Sequence, residues 1–230
     1  MREGIIMSLF FNRPTYERMD IDIPTPAGVN SMPSSIYFDV DKRFTLEQVI
    51  RIRETILTLI SAWFLHYEQT VHTGTSQWAA CSNRYSYRKL SPIWRIWRQS
   101  TNGESALEFA MDVLTQRFRV NGTGRVIVPK IRYRIPRLGE RLNIRSKTSF
   151  LRYWVQLNVT INPRLLDDLS VSTNFLAGSL VHAWFHRCGY THPRNFYHTY
   201  FIGEASMCLM RVYEAKSPKV PDSTYTRYFD

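Results

Sequence analysis

Apolar residues recur at helical spacing in several stretches of the chain. The longest such stretch begins at Thr45, which has the spacing of a capping box with Gln48, and it continues to about residue 68. Its apolar positions recur at helical intervals, at Leu46, Val49, Ile50, Ile56, Leu57, Ile60 and Phe64. This pattern predicts a long helix over residues 45–68.

Two shorter helices are predicted further along the chain. One covers residues 104–118. The other covers residues 174–188, where Ser172 or Thr173 can cap its start and Gly189 can end it in the left-handed conformation.

Strand-like alternation appears between the last two helices. Residues 125–133 are rich in residues that favour strands, and residues 150–161 alternate with period two before Pro163. One set of alternate positions is Trp154, Gln156, Asn158 and Thr160, and the other is the apolar set Val155, Leu157, Val159 and Ile161. Helices and strands together predict a single α/β (α+β) domain.

The remaining segments carry weaker patterns. Residues 1–42 contain four prolines among short apolar pieces and are predicted to be an extended lead-in with little regular structure. Residues 70–103 are predicted to be irregular, and residues 216–230 to form a loosely packed C-terminal arm. We find no internal repeat, so the predicted domain covers residues 43–215.

The composition fits a globular chain without a membrane span. The chain has 230 residues, 44% of them hydrophobic, and its most apolar stretch, residues 56–65, is about half the length that a transmembrane helix requires. The apolar run at residues 5–11 is cut short by Asn12, Arg13 and Pro14, so we expect no signal peptide. The expected location is the cytoplasm, or the outside of the cell by a signal-independent route.

A formal charge of +11 raises the possibility of an anionic partner. The densest basic run, residues 125–152, is interleaved with apolar residues, which is typical of the solvated face of a sheet. A basic nucleic-acid-binding protein therefore stays as an alternative only, and nucleic acid is not the partner we expect.

The three cysteines, Cys81, Cys188 and Cys208, form no CxxC pair, so they indicate neither a disulfide framework nor a zinc ribbon. Free, partly buried thiols are the prediction. A bridge between Cys188 and Cys208 is the alternative.

The chemically informative residues lie on the third predicted helix and just beyond it. His182 and His186 are four residues apart, so a helix places both imidazoles on one face. Gly189 can turn the chain back, and His192 can then supply a third nitrogen. Three histidines with one further coordination position describe a catalytic rather than a structural zinc site.

The run from His182 to His192 resembles the metzincin metallopeptidase signature H-E-x-x-H-x-x-G-x-x-H at every fixed position except the glutamate, which is Ala183 here. The resemblance covers roughly residues 150–213 and is specific over 182–192. It implies Zn²⁺ as cofactor, the three histidines as ligands, and endopeptidase activity on a protein or peptide substrate. The implied fold is zincin-like: a twisted mixed sheet, a long backing helix at 45–68 and the metal helix at 174–188.

Further site residues follow from the same resemblance. Metzincins have a methionine in a turn below the metal, a role for which Met207 is the first candidate and Met210 the second. Some members use a tyrosine soon afterwards; Tyr213 is near, but its spacing departs from the usual two residues. The strand before the metal helix would bind an extended substrate at a sheet edge through Trp154, Gln156 and Asn158.

Glu204 offers an alternative third ligand. It lies 18 residues beyond His186, the distance at which gluzincins place a glutamate ligand, and His192 would then be a bystander. Gly189 and His192 favour the metzincin interpretation because the gluzincin one needs neither. His198 is expected at the surface or beside the ligands.

Ala183 stands where the general base of this chemistry belongs. The glutamate takes a proton from the zinc-bound water and passes it to the leaving amine, and alanine can do neither. Ala183 is therefore either an engineered replacement in an active enzyme or the mark of a natural pseudoprotease that binds protein without cutting it. With no signal peptide expected, the sequence suggests a toxin or effector protease, with an inhibitor or immunity protein as a possible partner.

Overall fold

The computed structural model describes residues 14–95, 97, 99–122, 128–152, 154–193 and 199–229. Within these residues the strands are β1 (Tyr16–Asp22), β2 (Ser35–Asp41), β3 (Lys130–Tyr133), β4 (Ile144–Arg145) and β5 (Val159–Ile161). The helices are α1 (Leu46–Thr73), α2 (Gln77–Tyr85), α3 (Gly103–Gly122), α4 (Pro163–Asp167), α5 (Thr173–Arg187), α6 (Phe201–Met210) and α7 (Ser223–Thr226).

The five strands form one mixed sheet in the order β1-β2-β3-β5-β4. The outer pairs, β1 with β2 and β4 with β5, are antiparallel, whereas β2 with β3 and β3 with β5 are parallel. Helices packed on this mixed sheet make a single α+β domain, as the sequence predicts.

The core lies between the sheet and the helices α1, α3 and α5. Phe38 of β2 and Trp184 of α5 are both fully buried, with their rings stacked 5.9 Å apart. Phe118 of α3 meets Trp184 edge-on at 6.0 Å. The sheet, α3 and α5 are therefore joined through one aromatic contact region.

The three predicted helices are confirmed. The capping box of α1 is present, because the Thr45 hydroxyl accepts from the Gln48 amide and the Gln48 side chain accepts from the Thr45 amide. Ser172 caps α5, and Gly189 has the positive φ, +96°, that its position after the helix requires.

Two segments predicted to lack regular structure contain elements. Residues 16–41 form β1 and β2, whose prolines lie in the connection between the strands rather than inside them. Residues 70–103 contain the end of α1 and the whole of α2. Pairing between distant strands and helix packing stabilise these elements, and neither can be read from a local pattern.

The strand predicted over residues 150–161 is wrong except at its end, because only β5 is a strand. Trp154 has φ of +60°, which an extended strand does not allow. Further along, the carbonyl of Gln156 accepts from Arg187 and that of Leu157 accepts from Trp184, so side chains of α5 take the place of a neighbouring strand. The segment predicted at 125–133 contributes β3, while residues 123–127 lie outside the described residues.

The cysteine prediction is also wrong in part. Cys81 of α2 and Cys208 of α6 form a disulfide, and Cys188 is free and buried. Cys81 and Cys208 are 127 positions apart, so the sequence does not reveal that they are close in the structure.

Residues 216–229 are not a loose arm. They contain α7, and the carbonyl of Tyr228 accepts a hydrogen bond of 2.6 Å from the Ser179 hydroxyl on α5. Phe229 is only 7% exposed. Across the described residues, no helix combines the length and the apolar character needed to cross a bilayer.

Candidate metal centre

Helix α5 carries the first two histidines through the interior. Its residues from 176 to 186 are all buried, because α1, α6 and the sheet cover it from different sides. His182 is completely buried and His186 is 4% exposed, whereas His192 is accessible to solvent. The spacing of four residues places the two buried imidazoles on one face, with ring centroids 5.1 Å apart.

The chain reverses at Gly189 and brings His192 to this face. The amide of Gly189 donates to the carbonyl of His186, and the amide of Tyr190 donates to the carbonyl of Phe185. The positive φ of Gly189 makes this reversal possible. The turn at Gly189 therefore brings His192 beside the other two histidines, as the sequence predicts.

The Nε2 atoms of the three histidines converge on one point. His192 Nε2 lies 2.8 Å from His182 Nε2 and 3.1 Å from His186 Nε2. One ligand atom from each histidine can be chosen so that all three lie within 4.8 Å of one another. The three side chains are close enough to bind a single metal ion.

Backbone carbonyls hold the other ring nitrogens of the two buried histidines. His186 Nδ1 lies 2.8 Å from the carbonyl oxygen of Tyr190, with the Thr148 hydroxyl 3.2 Å away, and His182 Nδ1 lies 3.4 Å from the carbonyl oxygen of Ile202. Because a carbonyl can only accept, these contacts place the proton on Nδ1 and leave a lone pair on Nε2. Two lone pairs then point toward His192, an arrangement that a cation between the nitrogens stabilises.

Aromatic side chains enclose the cluster. Phe229 stacks on His182, and Tyr200, at the start of α6, lies 5.4 Å from His192 and 6.3 Å from His182 between ring centroids. The ring of Tyr200 folds over Gly203, where an added Cβ would lie 2.5 Å from a ring carbon. Sequence reasoning missed Tyr200 and Phe229, because both approach the cluster through contacts between separate segments of the chain.

Ala183, the residue directly after the first histidine, is fully buried. Any side chain longer than alanine at this position would have to be accommodated inside the core. The three histidines therefore lie together beside a buried alanine.

Glu204 is not part of the cluster. Its Oε1 accepts hydrogen bonds from Lys216 Nζ at 2.9 Å and from the Thr199 amide at 3.1 Å, and burial raises the pKa of its carboxyl group. Its other oxygen, Oε2, is buried without a hydrogen-bond partner among the described residues. Glu204 thus anchors residue 216 to the start of α6, and the gluzincin alternative gains no support.

The other residues assigned from the resemblance are placed differently from the prediction. Met207 lies inside α6, so the predicted turn is wrong, although Met207 packs with Met210 and Phe229 near His182. Tyr213 is packed against Trp78, and burial raises its pKa to about 12.

The predicted substrate-binding residues also miss the edge of the sheet. Trp154, Gln156 and Asn158 precede β5, and β5 itself lies between β3 and β4. The Asn158 side chain accepts from the Lys130 amide, so it is used to hold the start of β3. His198 lies outside the described residues.

Comparison with protein-family models finds no match for this chain. Searches of curated proteins and of solved structures find no significant match either. The geometry of the site is therefore the basis for assigning a function.

Proposed function

We propose that the three histidines bind one zinc ion in a site of the metallopeptidase type, and that the chain is a zinc endopeptidase of metzincin-like design whose catalytic base is replaced by Ala183. The observation that carries the proposal is the convergence of three Nε2 atoms, two of them on imidazoles whose Nδ1 atoms face backbone carbonyls. Such contacts to ligating histidines are the usual outer partners of a metal site.

The donor set fits zinc. Imidazole nitrogens bind zinc at ~2.0–2.1 Å, which separates two nitrogens of a tetrahedral site by roughly 3.3 Å. The distances of 2.8 and 3.1 Å between Nε2 atoms need to increase by only a few tenths of an ångström. Three neutral nitrogen ligands are also the set found in catalytic zinc sites.

When bound, zinc supplies Lewis acidity toward a carbonyl oxygen and a water molecule. The residues of this chain orient the ligand nitrogens: the Ile202 and Tyr190 carbonyls fix two rings, and Gly189 returns the third. Ala183 cannot accept or donate a proton. The chain as it stands is therefore expected to bind metal and peptide without efficient turnover, since a positioned base contributes ~10²–10⁴ in rate.

A natural pseudoprotease is the second candidate, and Ala183 itself favours it. The Ala183 side chain is completely buried, so it packs as an ordinary apolar residue of the core. In this alternative the zinc site stabilises a module that binds a protein partner.

Export to an oxidising compartment is part of the proposal, supported by the disulfide between Cys81 and Cys208. Disulfides persist mainly in secreted, periplasmic and surface proteins. A delivered toxin or effector protease is consistent with this chemistry.

Two measurements test the proposal. Elemental analysis of protein purified without chelators is expected to give about one zinc per chain, and a chain that cannot be loaded with zinc contradicts the metal site. Ala183→Glu is then expected to create peptidase activity on a cell extract that chelators abolish and zinc restores.

Ala183→Gln is the matched control for the glutamate variant, because it adds a side chain of the same size without a base. Equal folding of both variants, with cleavage by the glutamate variant alone, supports the endopeptidase. A folded, zinc-loaded glutamate variant that cleaves nothing in extracts from several cell types supports the pseudoprotease instead.

A further inference from the structure

A cavity of about 840 Å³ lies between α1, α3 and the segments that contain Trp94 and Trp154, and none of the three histidines lines it. We call it the α3 cavity. Its described walls include the aromatic side chains of Tyr67, Trp94, Phe109 and Trp154. A volume of this size is typical of sites that hold a ligand or part of a peptide.

The described charged residues of the α3 cavity are mostly basic. Arg117, Arg119 and Arg152 line it, with Asp112 as the single carboxylate. Asp112 accepts a hydrogen bond from Tyr67 at 3.0 Å, and burial raises the pKa of its carboxyl group. The cavity therefore favours an anionic group.

Arg117 is the most telling of these residues. Arg117 is only 5% exposed, and among the described residues its buried Nε has no hydrogen-bond partner. Its Nη2 donates to the carbonyl oxygen of Arg152 at 2.7 Å, and its guanidinium also interacts with the Cys188 thiol. No carboxylate in the described part of the chain forms an ion pair with it. A buried guanidinium without an anion is costly, and its planar donors match a carboxylate or a phosphate.

Short stretches of chain link the walls of the α3 cavity to the candidate metal centre. Trp94 Nε1 donates to the carbonyl oxygen of Cys188, just beyond α5. On the other side, Thr148 and Ser149 contact His186 through a ring nitrogen and the backbone carbonyl. Arg152 comes only four residues after Thr148, a Cα separation of at most ~14 Å.

We propose that the α3 cavity recognises an acidic segment of a peptide or protein that also carries an aromatic side chain, while a neighbouring part of the same chain lies at the metal centre. About five extended residues can cover the distance from Thr148 to Arg152. The arginines bind the carboxylates of the peptide, and its aromatic side chain packs against the rings of Trp94, Tyr67 and Trp154. This inference rests on the proposed function, since a peptide is chosen over a small anion because of the metal centre.

The test measures binding of two pentapeptides with blocked ends to the zinc-loaded chain by calorimetry. One peptide has a tyrosine between two glutamates, and the other has glutamines in place of the glutamates. We expect the acidic peptide to bind at least about tenfold more tightly, because hydrogen bonds to charged groups are the strong ones. Equal binding of the two peptides, or no binding of either at millimolar concentration, overturns the proposal.

Substitutions locate the site. Arg119→Gln and Arg152→Gln are each expected to weaken binding of the acidic peptide several-fold, and Arg117→Met about tenfold or more. Arg53→Gln is the control, because Arg53 is exposed on α1 and does not line the cavity. If Arg117→Met fails to fold, the other two variants decide. Unchanged affinity in both overturns the assignment of the cavity.

The zinc content of every sample is measured in parallel, which separates the two proposals. A chain that binds the acidic peptide but no zinc contradicts the proposed function alone. A chain that binds zinc but neither peptide contradicts only the inference about the cavity. Adenosine monophosphate is included as a third probe, and its tight binding in place of the peptide would overturn the proposal in favour of a nucleotide.

Discussion

Phe229 lies face to face with the imidazole of His182, with ring centroids 4.1 Å apart and ring planes within 7° of each other. Met207 and Met210 pack with Phe229. His182 is thereby held between the carbonyl of Ile202 on its edge and an aromatic ring on its face. Residues 216–229 thus build part of the candidate metal centre, beside a histidine almost 50 positions earlier in the sequence.

Removing this ring is predicted to weaken zinc binding. Phe229→Ala leaves a void against His182, so the imidazole loses its fixed orientation, and we expect the zinc dissociation constant to rise about tenfold. Competition with a chromogenic chelator measures it. Tyr225→Ala is the control, because that ring stacks on Phe175. An equal effect of both substitutions would mean that Phe229 acts through general stability only.

The parts of the site that the sequence predicts are those set by local spacing. Two histidines four residues apart on one helix must share a face, and Gly189 at φ +96° reverses the chain as expected. The capping box at Thr45 and Gln48 likewise predicts where α1 begins. Each of these depends on fewer than a dozen consecutive residues.

The missed features depend on contacts between distant segments. The alternation over residues 150–158 resembles a strand, but side chains of α5 donate to the carbonyls of residues 156 and 157. The partner of Cys208 is Cys81, not the nearer Cys188. Neither the missing strand nor the disulfide can be predicted from a short stretch of sequence. The same is true of the stacking of Phe229 on His182.

The identity of the third ligand gives a second prediction. Glu204 is already bonded to Lys216 and to the Thr199 amide, whereas His192 faces the other two histidines. His192→Ala is expected to weaken zinc binding ~100-fold or more, and Glu204→Gln only a few-fold. Both affinities are measured by the same chelator competition. The opposite ranking would make the site a gluzincin one.

The disulfide is expected to contribute strongly to stability. Because the disulfide joins cysteines 127 positions apart, replacing both Cys81 and Cys208 by serine is predicted to lower the free energy of unfolding by ~2–4 kcal/mol. Urea titration with and without reductant measures the free energy of unfolding. The double variant is expected to show the lower value under both conditions, because it has no disulfide to reduce. A count of three free thiols in the denatured, unreduced protein would contradict the bridge.

His66 predicts a loss of stability at acidic pH. Burial lowers its pKa to about 4, and its Nδ1 lies 2.7 Å from the Ser76 hydroxyl at the start of α2. The unfolded chain binds the proton at its ordinary pKa, so this stability is complete above about pH 6.5 and is lost as the pH falls toward 4. Between pH 7 and pH 5 the loss is ~2 kcal/mol.

The contribution of His66 is isolated by comparison with a variant. Urea titrations at pH 7 and pH 5 on zinc-free protein are expected to show a smaller loss for His66→Gln than for the unchanged chain. His72→Gln, which alters an exposed histidine, serves as the control and should keep the full loss. If His66→Gln retains it too, the acid sensitivity has another origin.

Gly189 has a left-handed backbone and also lies close to Trp94. The last prediction separates the effect of backbone strain at this position from the effect of steric overlap. A Cβ at Gly189 would lie 2.2 Å from Trp94 Nε1, whereas one at Gly74, with φ +83°, would meet nothing within 4 Å. Gly74→Ala therefore carries only the backbone strain, ~1–2 kcal/mol, and should leave zinc binding unchanged. Gly189→Ala carries the same strain and must also displace Trp94, which forms a wall of the α3 cavity. We expect it to lose more stability than Gly74→Ala and, because the turn positions His192, to weaken zinc binding. Equal losses of stability in both variants, with zinc affinity intact, would mean that the turn at Gly189 adapts without moving the third histidine.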